Sequence, residues 1–298
     1  MLPAVLCTLL FATSTICGRR TATLLGGLAA NSARLTLAAL LLSAYAHTLG
    51  HGTLGPAFPI FFISGCIGFG LGDMALFQAL PRLGSRLSSM MTLCLSTPIA
   101  AALEWGWLGT ALSLREALCA GVILAGVGLA LAPGGLALSR AQLTGGAAWG
   151  LLAAVCQAVG AVLSRRAFTV AEAAGDNVDG LSAAYQRLLG GVLVAIVVWL
   201  VCLGAGRLRG GGAEARPAAW GRAWPWVAAN AVLGPALGVA CYQWALKIAP
   251  SGVVLPIVAL TPVVIIPISW RWEGERPGWR SLAGGILATL GVIALAWR

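Results

Sequence analysis

Gly72-Asp73-Met74-Ala75-Leu76-Phe77-Gln78-Ala79-Leu80 and Gly238-Val239-Ala240-Cys241-Tyr242-Gln243-Trp244-Ala245-Leu246 are two versions of one phrase. Each is followed by a Thr-Pro pair, Thr97-Pro98 and Thr261-Pro262, and later by a glycine-containing apolar run, 121–127 and 285–292. A period of about half the chain is too long for a solenoid and marks a duplicated half. In a strongly apolar chain, a duplicated half indicates a transporter fold with its site between the copies.

Composition supplies the apolar context. Of 298 residues, 59% are hydrophobic and 9% charged, against roughly 25% charged in a soluble domain. Such a chain cannot clothe a water-facing surface. The apolar residues fall into ten stretches of membrane-crossing length, at 2–18, 31–49, 58–80, 85–106, 115–132, 145–166, 181–203, 223–246, 250–270 and 279–297. The expected fold is therefore an all-α integral membrane protein of ten transmembrane helices. Its halves are expected at 1–138 and 139–298. Five spans per half is an odd number, so the second copy must run inverted relative to the first. The break between the fourth and fifth helices is the least sharp, because Trp105, Trp107 and Leu108 blur it.

The first stretch reads as a retained span rather than a cleaved leader, since Arg19-Arg20 follow the apolar run instead of preceding it. Ser164-Arg165-Arg166 is expected to close the sixth helix as Gly18-Arg19-Arg20 closes the first. Glycines within spans let helices approach closely, and Pro98, Pro235, Pro256, Pro262 and Pro267 are expected to kink them. The eight cysteines are scattered without pairing or metal spacing.

The net charge of +10 comes almost entirely from arginine in short loops, the pattern of membrane topology rather than of nucleic-acid binding. Twelve basic residues fall in the loops joining helices 1–2, 3–4, 5–6, 7–8 and 9–10, and five on the other side. That bias places both termini outside.

With these pieces in order, the chain resembles the EamA family of the drug/metabolite transporter superfamily. The resemblance rests on Arg34 and Arg187 near the start of the second helix of each half. It rests also on the endings Ala79-Leu80 and Ala245-Leu246, on Pro98 and Pro262, and on the Gly274-Glu275-Arg276-Pro277 turn before a glycine-rich last helix. It covers 2–297. Where the family pattern has Gly-Glu, the first half has Gly109-Thr110, and Asp73 and Glu104 are not part of that pattern. The resemblance implies transport of a small organic metabolite such as an amino acid or a related compound, usually by export. It further implies alternating access, no cofactor, a monomer or homodimer, and residence in a bacterial plasma (inner) membrane. It places both termini in the cytoplasm, against the arginine count, so sidedness stays open.

Polar residues inside spans mark candidate pathways, because each costs free energy there. Asp73 reads either as a proton or cation-binding carboxylate or as the partner of an ion pair, for example with Arg34. Arg34 and Arg187 read either as ligands of a substrate carboxylate or as anchors of helix ends at the headgroups. Glu104, beside Trp105 and Trp107, reads as part of an interfacial belt. His47 and His51 read as solvated. Gln78, Gln157, Tyr185, Asn230, Tyr242, Gln243 and Trp244 form the polar and aromatic set expected around a midplane cavity. No metal cluster, nucleophile constellation or phosphate loop is visible. The alternatives to a metabolite permease are a translocator of lipids or lipid headgroups on the same fold and, with less support, a membrane enzyme acting on lipids.

Overall fold

The computed structural model describes residues 1–131, 140–204, 217–273 and 278–296, and among them every element is helical. The expected junction of the halves at 138–139, the turn at 274–277, and Arg207, Arg209, Arg216, Arg276 and Arg298 lie outside the described residues. Among the described residues, eight helical stretches are long and apolar enough to cross a membrane: Leu2–Leu25, Gly27–Thr48, Phe58–Ser85, Leu87–Leu108, Gln142–Ala173, Gly180–Cys202, Ala219–Ile248 and Ser251–Ile268. Leu282–Leu295 is a shorter apolar helix.

In chain order the elements of the first half are α1 (Leu2–Leu25), α2 (Gly27–Thr48), α3 (Phe58–Gly65), α4 (Asp73–Leu108) and α5 (Leu114–Leu131). Those of the second are α6 (Arg140–Ala173), α7 (Gly180–Gly204), α8 (Pro217–Ala231), α9 (Val239–Ile248), α10 (Ser251–Val258), α11 (Thr261–Glu273) and α12 (Trp279–Ala296). Two wide π-helical segments, Cys66–Gly72 and Val232–Gly238, join α3 to α4 and α8 to α9. Each ends on the glycine that opens the repeated phrase. Glycines at 68, 70 and 72, and Gly234, Pro235 and Gly238, loosen the i→i−4 ladder there, and such bulges frequently sit at functional sites.

The breaks follow from local chemistry. Gly26 and Gly84 adopt φ of 80° and 78°, a left-handed backbone that side-chain-bearing residues avoid. They separate α1 from α2 and bend α4 into two rods. Gly109, at φ 70°, ends the second rod and resolves the blurred fourth boundary. The expected ninth helix is broken between Val258 and Thr261, where Pro262 has no N–H to continue the ladder. The first and sixth helices run further than expected, to Leu25 and Ala173. Arg19-Arg20 and Arg165-Arg166 therefore lie inside helices and do not close them.

Packing between the halves is reciprocal. The α1 helix packs on α8, α9 and the segment between them, while α6 packs on α3, α4 and their intervening segment. The α2 helix meets α7, and α5 meets α12. Backbones touch where glycine permits. A Cβ at Gly65 would collide with the Arg187 carbonyl, and one at Gly190 with the Phe62 carbonyl, so α3 and α7 are pressed main chain to main chain. At the start of α7, Asp179 caps the helix by accepting from the Leu181 and Ser182 N–H groups at 2.9 and 3.0 Å and from Ser182 Oγ at 2.6 Å.

Two outcomes follow. Gly65→Val forces α3 and α7 apart and is expected to cost about 1–3 kcal/mol, read as a lower melting temperature in detergent; an unchanged one refutes the close contact. Partial burial pushes the Asp179 carboxyl up, but the donors of Ser182 and Leu181 outweigh it and hold the group below the usual carboxylate range. Its contribution is thus complete above the unfolded value of about 3.9 and lost as pH falls through the lower folded value. Asp179→Ala is expected to cost about 1 kcal/mol at pH 7 and to flatten the acid limb of a melting-temperature profile.

Candidate functional site

A cavity of about 90 Å³ lies at the centre of the bundle. Its wall draws on both halves: Phe11, Ser14, Thr15 and Gly18 from α1, Arg34 from α2, and Asp73, Leu76, Phe77, Leu80, Ser89, Thr92 and Leu93 from α4. The second half adds Gln157, Arg187, Asn230, Val239 and Tyr242. Asp73 and Val239 are repeat equivalents, as are Leu76 and Tyr242 and, near the start of the second helix of each half, Arg34 and Arg187. The duplicated phrase thus faces itself across the cavity.

Arg34 and Arg187 are 6% and 2% exposed, which overturns their reading as headgroup anchors. Arg34 forms an ion pair with Asp73, donates from Nε to Asn31 Oδ1 at 3.1 Å, and lies 4.6 Å over the Phe77 ring. The carboxylate is therefore the partner of an ion pair and a cavity residue at once. Arg187 lies 4.9 Å over the Phe69 ring. Its guanidinium fills the space that side chains at Gly68 and Gly160 would take, where a Cβ would stand 2.8 and 3.1 Å from Nη2.

Asn230 accepts from Ser14 Oγ at 2.7 Å, which orients its Nδ2 as an unpartnered buried donor. Arg187 Nε, Thr92 Oγ1 and the Tyr242 hydroxyl are likewise buried without a well-formed hydrogen bond, with Gln157 close to that hydroxyl. Buried polar groups are normally paired. Four such atoms, at Thr92, Arg187, Asn230 and Tyr242, belong to the wall of this one cavity, while others, as at Ser88, Gln186 and Gln243, lie off it.

Four expected site residues are placed elsewhere. Gln78 lies one residue off the face carrying Asp73, Leu76, Phe77 and Leu80, a rotation of about 100°, and accepts from Arg82 instead. Trp244, its repeat equivalent, is 49% exposed and lines a surface recess with Tyr45 and Asp179. Gln243 is buried away from the cavity wall. Tyr185 pairs through its hydroxyl with His47 Nε2 at 3.0 Å, so that histidine, although exposed, is not merely solvated.

Glu104 is a correction of a different kind. It is buried, not interfacial, while its neighbours Trp105 and Trp107 are exposed. It accepts from the Ser251 N–H at 2.7 Å and from the Ser251 hydroxyl, and pairs with Arg165 Nε at 3.3 Å. Arg165 also donates to the Leu246 carbonyl at 2.7 Å. This cluster ties the end of α4 to α6, α9 and α10, so it joins the two halves at one end of the bundle. Sequence reading also passed over Ser85, Ser88, Ser89 and Thr92, a buried hydroxyl stripe on one face of α4 running from Gly84 to the cavity. Their i, i+3, i+4, i+7 spacing was the available signal.

The sequence profile of the EamA-like transporter family matches residues 1–132 and again residues 144–297. The chain belongs to the EamA-like transporter family. With eight long apolar helices among the described residues, it is an integral membrane protein of the drug/metabolite transporter superfamily. A crystal structure titled only as that of a protein superposes with a TM-score of 0.73 at 18% identity, covering 99% of this chain and 95% of that one. At that identity the likeness shows the fold alone. No curated protein matches in sequence.

In this EamA-like chain, Asp73→Asn leaves Arg34 buried without its counter-charge and is expected to cost about 3–5 kcal/mol. Asp73→Asn with Arg34→Gln is expected to regain most of that stability. Melting curves of the three proteins decide the matter; equal losses in single and double variants refute the coupling.

Proposed function

We propose that this protein is a secondary transporter that carries a small organic metabolite, an amino acid or a related compound, out of the cell by alternating access. On this reading ten spans cross a bacterial plasma (inner) membrane as two inverted five-helix halves, 1–138 and 139–298. The observation that carries it is the central cavity, walled by equivalent residues of both halves and furnished with unpaired polar atoms. Inverted-repeat transporters hold their substrate at that place, between the repeats near the midplane.

The Glu104–Arg165–Ser251 cluster supports the same reading as the closed gate at one end. The cavity wall extends the other way, through Gly18, Leu80 and Ser89 toward Gly84. Rocking the halves would break this cluster and close the Gly84 end, exchanging their roles.

Reconstitution into liposomes, with counterflow of a panel of labelled amino acids and organic acids, tests the proposal. Saturable flux is expected, and Glu104→Gln, with a melting curve beside it because the change leaves Arg165 without its carboxylate, is expected to lower the turnover several-fold by weakening the closed gate. Absence of flux for the whole panel, or flip of a fluorescent phospholipid in its place, overturns the metabolite reading. Unchanged flux in the variant shows that the cluster is static.

A further inference from the structure

Two arginines at equivalent positions face the cavity, and its lining residues include one carboxylate. Arg34 takes it: Asp73 is its ion-pair partner. In the other half, Val239 stands where Asp73 stands, so duplication supplied the second cation with no acid. Arg187 is 2% exposed, its Nε has no hydrogen-bond partner, and no described carboxylate comes within 4.0 Å of its guanidinium. Phe69 offers only a ring face. Charges of lining residues sum to +1, from Arg34 and Arg187 less Asp73. Asp73 and the Tyr242 hydroxyl act on it only across a distance, and a buried cation whose carboxylate is bonded elsewhere is left unfavourably placed.

The neutral groups around it point the same way. The Asn230 amide is held by Ser14 so that its Nδ2 is left to donate, and Thr92 Oγ1 and the Tyr242 hydroxyl are also buried and free to donate. Donors therefore outnumber acceptors among the unpaired groups of the wall. A guanidinium with an unused Nε–H matches a carboxylate, since it can present two parallel donors to two oxygens.

We infer that the cavity takes a solute with one carboxylate and no amine, a monoanionic organic acid bound to Arg187. Such a ligand brings the filled cavity to neutrality. A zwitterion leaves the net +1 in place and must compete with Arg34 for Asp73 to seat its ammonium, and an amine raises the charge to +2. The inference rests on the transporter reading of the same cavity and narrows "amino acid or related compound" to the second of these.

Thermal shift of the full-length protein in detergent at pH 7 tests it, with two probe series, each sharing one hydrocarbon body and varying its charged groups. The first is 4-methylpentanoate, leucine, isoamylamine and 4-methylpentanamide; the second is 3-phenylpropanoate, phenylalanine, phenethylamine and 3-phenylpropanamide. At least one carboxylate is expected to raise the melting temperature saturably. The matching amino acid is expected to bind at least tenfold more weakly, and the amine not at all. Arg187→Gln is expected to lose at least tenfold in apparent affinity, with Arg187→Lys retaining part of it. Val239→Asp, which gives Arg187 the acid that Arg34 already has, is expected to abolish carboxylate binding without lowering the melting temperature of the free protein. That second variant keeps the test decisive if Arg187→Gln folds poorly. The inference is overturned if neither carboxylate stabilises the protein, if an amino acid or amine binds as well, or if binding survives in both Arg187→Gln and Val239→Asp. Liposome flux separates the two readings. A carboxylate that binds but never crosses sinks the transporter and spares the anion site, whereas flux of amino acids without preference for the acid does the reverse.

Discussion

A guanidinium inside an apolar bundle has to be answered by a carboxylate, an aromatic face or hydrogen-bond acceptors, because hydrocarbon supplies none of these. Arg34 is answered by all three, in Asp73, Phe77 and Asn31. That set fixes α2 against α4 at the wall of the cavity. Arg187 is answered by Phe69 and by the space left at Gly68 and Gly160, so its charge remains available. Around these two cations the remaining architecture is arranged. The π-helical segments widen the helices just before Asp73 and Val239, and α1 and α6 cross them from the opposite halves.

The ends of the bundle are not equivalent. At one, Glu104 joins Arg165 and Ser251 across the halves. At the other, the repeat supplies Arg19 for Arg165 and Ser85 for Ser251, but six residues after Pro262 stands Ile268, where six after Pro98 stands Glu104. The two closures therefore draw on different chemistry, one ionic and buried, the other without that acid. Two states of a symmetric frame differ in free energy through such substitutions, and each difference of about 1.4 kcal/mol shifts their populations tenfold.

Fold class was legible because it rests on composition and on periodicity over long distances. The duplicated phrase and the apolar stretches survive as helices, and Pro262 divides the ninth rod, but Pro98, Pro256 and Pro267 lie inside continuous helices and several helices overrun their expected ends. The site was legible where a residue type has few alternatives in lipid. Arg34, Asp73, Arg187, Asn230, Gln157 and Tyr242 all meet at the cavity. It was not legible where one residue of helical register decides. Gln78 and Gln243 differ from the cavity residues Phe77 and Tyr242 by a single position, and the π segments upstream shift the phase of any helical wheel. Glu104 was hidden by its tryptophan neighbours, since its partner Arg165 is 61 residues away and nothing local announces the pair. Hydroxyls such as Thr92 are ambiguous in sequence because serine and threonine so often bond their own helix.

The main-chain contact between Gly65 and Arg187 has a consequence beyond packing. With its carbonyl pressed against α3 and its guanidinium threaded between Gly68 and Gly160, Arg187 has little freedom left to lose when a ligand arrives. The ordering entropy of a long side chain, about 0.5–1.5 kcal/mol, is already spent in folding. On the proposed reading, affinity at the cavity would be set in part by glycines whose own atoms no solute would touch.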